Sequence, residues 1–170
     1  MEKKANIVLI GMPGCGKSTV GVLLAKRTRK KFVDTDLFIQ EQEERLLSEI
    51  IEEEGLDAFI RIENEVNASV ITENSVIAPG GSVIYGEEAM LHLKKIARVV
   101  YLKLSYESVN GRLGDLKARG VAMRPGQDLK SLYDERCPLY ERYAEIIVEC
   151  DGLELGETLE KVMEKLSETA

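Results

Sequence analysis

Short apolar runs alternate with longer amphipathic stretches along the whole chain. Asn6-Ile7-Val8-Leu9-Ile10 is an uninterrupted, partly β-branched run, which predicts a strand buried on both faces. Over 19–29, Val20, Leu23 and Leu24 recur at helical spacing, which predicts a helix. Lys31-Phe32-Val33-Asp34 predicts a second strand, and 36–54 reads as one long helix stopped by Gly55. A further helix is expected over 56–73. Val76-Ile77-Ala78 is a short buried strand and 87–95 a helix. The run 98–104 is the plainest strand of the chain, followed by helices over 106–118 and 129–143. A fifth strand is expected over 145–149 and an amphipathic closing helix over 155–166. Such alternation predicts an α/β fold on a parallel sheet.

The segment 119–127 breaks this rhythm. It bears glycines, has little periodicity and carries Arg119 and Arg124, the marks of a mobile lid. No repeat, low-complexity stretch or linker interrupts the chain, so all 170 residues are read as a single domain.

Composition narrows the function classes. Hydrophobic residues make up 44 %, enough for a real core. No apolar run approaches the roughly 20 residues of a membrane span, and no signal peptide precedes the first strand. Cys15, Cys137 and Cys150 lack metal-type spacing, which fits a reduced, cytoplasmic setting. Acidic residues outnumber basic ones by 30 to 23, a net charge of −7. That balance argues against general nucleic-acid binding, yet a local basic pocket still permits an anionic ligand.

Candidate chemistry gathers after the strands, where open α/β sheets carry their sites. After the first strand, Gly11-Met12-Pro13-Gly14-Cys15-Gly16-Lys17-Ser18-Thr19 matches the phosphate-loop pattern G-x-x-x-x-G-K-[ST] in full. Its glycines let backbone N–H groups turn toward a polyphosphate, and the following helix adds its positive end. Lys17 reaches the β- and γ-phosphates in such a loop, and the Ser18 hydroxyl can ligate Mg²⁺. The second strand ends in Asp34-Thr35-Asp36, and the third in Pro79-Gly80-Gly81-Ser82. Asp34 also suits a helix N-cap, and Arg136 suits a surface pair with Glu135 or Glu141.

Beyond the loop, Phe32-Val33-Asp34-Thr35-Asp36, Arg124-Pro125 and Arg136-Cys137-Pro138-Leu139-Tyr140 add motifs of greater specificity. With them the chain resembles the shikimate kinase family, in the nucleoside-monophosphate-kinase-like branch of P-loop proteins, over nearly its whole length. The resemblance implies a three-layer α/β/α domain with a five-stranded parallel sheet in the order 2-3-1-4-5. It implies an ATP- and Mg²⁺-dependent kinase acting on a hydroxyl of a small, carboxylate-bearing molecule, expected to work as a monomer. Gly11, Gly14, Cys15, Gly16, Lys17, Ser18 and Thr19 would hold the nucleotide. Arg112 would lie against the adenine, and Arg124 would be the lid arginine that closes on the phosphates. Asp34 would support Mg²⁺ beside Ser18. Asp36 would take acceptor hydroxyls and help remove the proton of the attacking one. Gly80 and Gly81 would present backbone N–H groups to the acceptor, and Arg136 would grip its carboxylate.

Departures from the family pattern lie on the acceptor side. In Phe59-Ile60-Arg61-Ile62-Glu63, Ile60 stands where the family has an arginine that shares the carboxylate. Arg61 is adjacent, but one step is about 100° around a helix. Pro79 and Ser82 flank Gly80-Gly81 where the family has T-G-G-G, and Gly126-Gln127 follow Arg124-Pro125. The nucleotide side is intact, so kinase chemistry is better supported than the acceptor, for which the resemblance makes shikimate the leading candidate. Another polyol, sugar acid or nucleotide, or a nucleotide-binding protein without catalysis, stays open.

Overall fold

A computed structural model describes residues 4–113 and 120–170. Among these, five parallel strands form one sheet in the order β2-β3-β1-β4-β5. They are β1 (Asn6–Ile10), β2 (Lys31–Asp34), β3 (Ser75–Ala78), β4 (Ala97–Lys103) and β5 (Ile146–Glu149). This is the sheet order the resemblance implied.

The position of each strand follows from its side chains. β1 is buried throughout and sits centrally, with Val8 opposite Ile77 on one side and Val99 on the other. β5 alternates buried Ile146 and Val148 with exposed Ile147 and Glu149, as an edge strand with one wet face should. Helices α1 (Lys17–Thr28), α5 (Glu87–Ile96), α7 (Leu129–Tyr143) and α8 (Leu155–Glu168) cover the sheet. Gly21 of α1 lets that helix close on the sheet, since a Cβ there would stand 2.7 Å from Phe32 Cε2. Tyr140 of α7 stacks on Tyr101 of β4, so packing accounts for this aromatic.

The expected single helix over 36–54 is corrected to two, α2 (Thr35–Glu43) and α3 (Leu47–Glu54). Glu44 closes α2 in a left-handed conformation at φ 53°. The Glu49 carboxylate accepts from Leu46 N at 2.7 Å, and Gln40 Oε1 from Leu47 N at 3.2 Å, which starts α3. Arg45 then pairs with Glu43, Glu53 and Glu54, so the acidic runs fasten the corner. α4 (Leu56–Ala68) ends before 73, where the chain turns through buried Val70 into β3. Helices α2 to α4 enclose a second small core of Ile39, Ile50, Phe59, Ile62 and Val66, which also receives Ala122. A 3₁₀ turn, Val83–Tyr85, follows the glycines after β3 and was not expected from the sequence.

Within the helix expected over 106–118, α6 spans Tyr106–Arg112. Residues 114–118 of that expectation, and Arg119 of the expected lid, lie outside the described residues. Among the described residues no helix is long and apolar enough to cross a membrane.

Candidate active site

The ends of β1, β2 and β3 open into a cleft of about 270 Å³. Its lining brings Gly14, Gly16, Lys17, Ser18 and Thr19 together with Asp36, Gly80, Gly81 and Arg136. Residues from the loop, from α2 and from α7 thus meet at one site although they are far apart in sequence.

On the loop side, α1 begins at Gly16, whose φ of 90° favours glycine, and no side chain caps the helix. Its first N–H groups therefore face the cleft as an anion-binding end. Lys17 is 8 % exposed, and its Nζ donates to Gly11 O at 2.8 Å and Met12 O at 3.1 Å. Ser18 and Thr19 are exposed. Gly11 and Cys15 do not line the cleft; they support the loop from beneath. A Cβ at Gly11 would stand 2.8 Å from Leu102 O, and Cys15 is buried in the main core. Arg112 is exposed at the end of α6 and borders the loop, its Cβ 3.8 Å from the place a Gly14 Cβ would take.

At the end of β2, Asp34 does cap α2. Its Oδ1 accepts from Asp36 N at 3.0 Å and Leu37 N at 3.4 Å. Capping engages one carboxylate oxygen, so the cap and a Mg²⁺-supporting role are compatible. Asp36 faces the cleft, and its Oδ1 is buried without a partner. Burial and the Asp34 carboxylate push Asp36 up to about 6, against Lys17 and the Gly80 N–H. A Cβ at Gly80 would stand 2.8 Å from Asp36 Oδ1 and 3.0 Å from Glu63 Oε2, so only glycine lets the turn after β3 pack this closely on the two carboxylates.

Arg136 is 1 % exposed, which excludes the surface-pair reading. Its Nη2 donates to Ala122 O, its Nε donates to Tyr85 Oη at 3.4 Å, and a Cβ at Gly81 would stand 3.1 Å from Nη1. Tyr140 Oη donates to Gly81 O at 2.5 Å and fixes the glycine turn. Among the described contacts, no carboxylate pairs with Arg136. Its charge is available to an anionic acceptor.

Of the residues expected at the acceptor and in the lid, Ile60, Arg61 and Arg124 fall outside this cleft. Ile60 lines a separate small cavity with Tyr85, Ala122, Arg124 and Glu135. Arg61 is exposed on α4, one helical step off the inward face. Arg124, expected as the lid arginine, stands away from the cleft in this geometry. Arg124 is 65 % exposed, donates to Glu135 Oε1 at 2.6 Å and does not line the cleft. Glu135 is a fixed carboxylate in reach of Arg124, and it is further held by Gln127 at 2.9 Å and Tyr85 at 3.0 Å.

Glu63 and Tyr85 were missed as site residues. Glu63 is 1 % exposed, lines the cleft, and accepts from Ser82 Oγ at 2.6 Å. Burial pushes its carboxyl up to about 8, and the Ser82 hydrogen bond opposes the shift. The signal for Glu63 was present in the sequence. An acid stands on the same helical face as Phe59, Ile62 and Val66. Tyr85 had no such signal, because its role depends on the 3₁₀ turn.

A family model described as shikimate kinase matches residues 13–167. The shikimate kinase of Clostridium botulinum (strain Alaska E43) is 34 % identical over 96 % of this chain and 95 % of that protein. The crystal structure of shikimate kinase from Aquifex aeolicus superposes with a TM-score of 0.82 at 31 % identity, covering 96 % of this chain and 97 % of that one. Shikimate kinase from Acinetobacter baumannii in complex with shikimate superposes with a TM-score of 0.81 at 26 % identity, covering 96 % and 93 %. With a phosphate loop, an acid and a buried arginine around one cleft, and with relatives alike over almost all of both chains, the protein belongs to the shikimate kinase family.

Proposed function

We propose that the protein transfers the γ-phosphate of ATP to a hydroxyl of shikimate. The observation that carries this reading is the shared cleft: the phosphate loop faces Asp36 and a buried Arg136 that, among the described residues, no carboxylate pairs with. The loop N–H groups, Lys17, Ser18 and Thr19 hold the triphosphate. Arg112 borders the adenine end. Arg136 takes the acceptor carboxylate, and the N–H groups of Gly80 and Gly81 face the acceptor ring. Asp36 sits where the attacking hydroxyl must lie and is ionised at neutral pH, so it can accept that hydroxyl's proton.

Mg²⁺ fits the residues present, since Ser18 is open to the cleft and Asp34 has a carboxylate oxygen outside the described hydrogen bonds. When bound, it neutralises phosphate charge during transfer. The chain is read as one kinase domain that works as a monomer. Its thiols, all free, suit the reduced cytoplasm.

ADP release, followed with shikimate and with a panel of polyols, sugar acids and nucleoside monophosphates, tests the reading. Mg²⁺-dependent turnover is expected with shikimate above every other acceptor. A polyol or nucleotide that outperforms shikimate, or ATP binding without turnover on any acceptor, overturns it. Ile60 is the specific reason to include the panel.

A further inference from the structure

The strands end at the active cleft and begin at the opposite end of the sheet, where a second hollow of about 460 Å³ opens. Lys4, Lys30 and Arg98 line it around an apolar floor of Ile7, Met163 and Leu166. No acidic side chain lines it among the described residues. Three cations from separate stretches thus gather at one place in a chain of net charge −7. The entry to β1 runs between two of them: Lys30 Nζ donates to Ala5 O at 2.7 Å, and Ile7 stands opposite Arg98 in the sheet.

The three differ in what balances them. Lys4 is paired with Glu145 at 2.8 Å. Lys30 and Arg98 are half-buried, and among the described residues no carboxylate pairs with either. Beyond Ala5 O, Lys30 Nζ donates to Asn74 Oδ1 at 2.9 Å. Arg98 Nη1 donates to Leu166 O at 2.9 Å, and its Nη2 to the Thr169 hydroxyl. A helix C-terminus favours a nearby cation, so the end of α8 accounts for part of the placement of Arg98. These four oxygens are neutral, however. They take some of the donors of each cation and supply no formal counter-charge. Burial accordingly pulls the Lys30 ammonium down from its ordinary value.

We propose that this hollow is a second binding site of the protein, for a small organic anion whose carboxylate or phosphate lies between Lys30 and Arg98 and whose apolar body lies on Ile7, Met163 and Leu166. Its volume falls within the range of small-molecule sites, about 300–1,000 Å³. Charged head and apolar floor divide the recognition as such sites do, and the unbranched thioether of Met163 adapts to the shape of the body. The hollow shares no lining residue with the cleft at the phosphate loop, so its occupant does not compete with the nucleotide.

Calorimetry on the full chain, with ADP at saturation, tests this with benzoate, phenyl phosphate, inorganic phosphate and benzyl alcohol as probes. Benzoate or phenyl phosphate should bind at one site per chain, and the tighter of the two identifies the head group. Benzyl alcohol lacks the charge and inorganic phosphate lacks the apolar body, so each should bind at least about tenfold more weakly. Lys30→Gln and Arg98→Gln should each weaken the aromatic anion about tenfold, and Arg98→Lys should recover part of that loss. Lys30→Gln leaves the Arg98 bonds to α8 in place, so its thermal melt should match that of the unmodified protein and separate lost binding from lost fold. Binding that persists unchanged in both Gln variants belongs to the cleft and overturns the site. Absence of binding by either aromatic anion, or inorganic phosphate as tight as phenyl phosphate, overturns it as well.

Discussion

The Arg136 guanidinium lies over the Tyr85 ring, 5.4 Å from its centroid, and its Nε donates to the Tyr85 hydroxyl at 3.4 Å. The hydroxyl in turn donates to Glu135, which also holds Arg124 and Gln127. The residue assigned to the acceptor carboxylate is thus braced from the side where Ile60 replaces the family arginine. Cation–π contact and the hydroxyl bond together restrict the guanidinium to the geometry that faces the cleft.

Tyr85→Phe keeps the ring and removes the hydroxyl, so acceptor KM should rise by about threefold with kcat little changed. Tyr85→Ala removes both and should raise acceptor KM by about tenfold or more. Steady-state kinetics with either substrate varied decides the matter. A fall in kcat with unchanged acceptor KM would show that Arg136 serves the transfer step and not the grip.

Lys17→Ala should reduce kcat by at least about a hundredfold, because it removes a preorganised cation from the phosphates. It also removes the bonds to Gly11 and Met12 carbonyls, which costs about 1–2 kcal/mol of stability. Thermal unfolding of the variant separates the two effects. A folded variant with near-normal turnover contradicts the role of the loop.

Asp36→Asn should lower transfer far more than ATP affinity. In the unmodified protein, kcat/KM for the acceptor should rise with pH through about 6 as Asp36 ionises, and Asp36→Asn should lose that limb. Stability moves the other way. The folded pKa is raised from 3.8 to about 6, so the folded state holds the proton more tightly than the unfolded chain. Stability is full below the unfolded value and is lost as pH rises toward about 6. Asp36→Asn should therefore gain Tm relative to the unmodified protein above that pH. Equal Tm profiles for both proteins across the range would contradict a raised Asp36.

The strands and the loop were legible because their signals are local. β1 and the phosphate loop lie within 6–19, where a buried strand, glycines and a helix start follow one another directly. The break between α2 and α3 was not legible, since Glu44 adopts its left-handed turn under the ion pairs that Arg45 makes with Glu53 and Glu54. On the acceptor side, Arg136 was legible through its Pro-Leu-Tyr context, although its burial was not. Arg124-Pro125 carries the family dipeptide, yet Glu135, eleven residues on, takes the charge. That contact depends on how α7 presents Glu135 to the 124–127 segment, a tertiary fact that no spacing within the motif encodes. Glu63 carried its signal in the open, as an acid on an apolar helical face, but its meaning depends on Ser82 and Asp36 arriving from other elements.

Ile60→Arg restores the family residue on α4 and tests how far the rest of the acceptor side has adjusted around isoleucine. Position 60 lines a small cavity with Tyr85, Arg124 and Glu135, so an arginine there meets a carboxylate already engaged by Arg124. Glu63 lies one turn further along the same helix, and its orphaned oxygen offers a second partner. Both carboxylates lower the cost of burying the new charge, and Arg136 would gain a companion for an acceptor carboxylate. Charge-assisted hydrogen bonds contribute about 1.5–3 kcal/mol, so shikimate should bind about ten- to a hundredfold more tightly. Weaker shikimate binding together with a lowered Tm would mean that the arginine is buried without a partner, and that Ile60 forms a wall fitted to an acceptor of different shape.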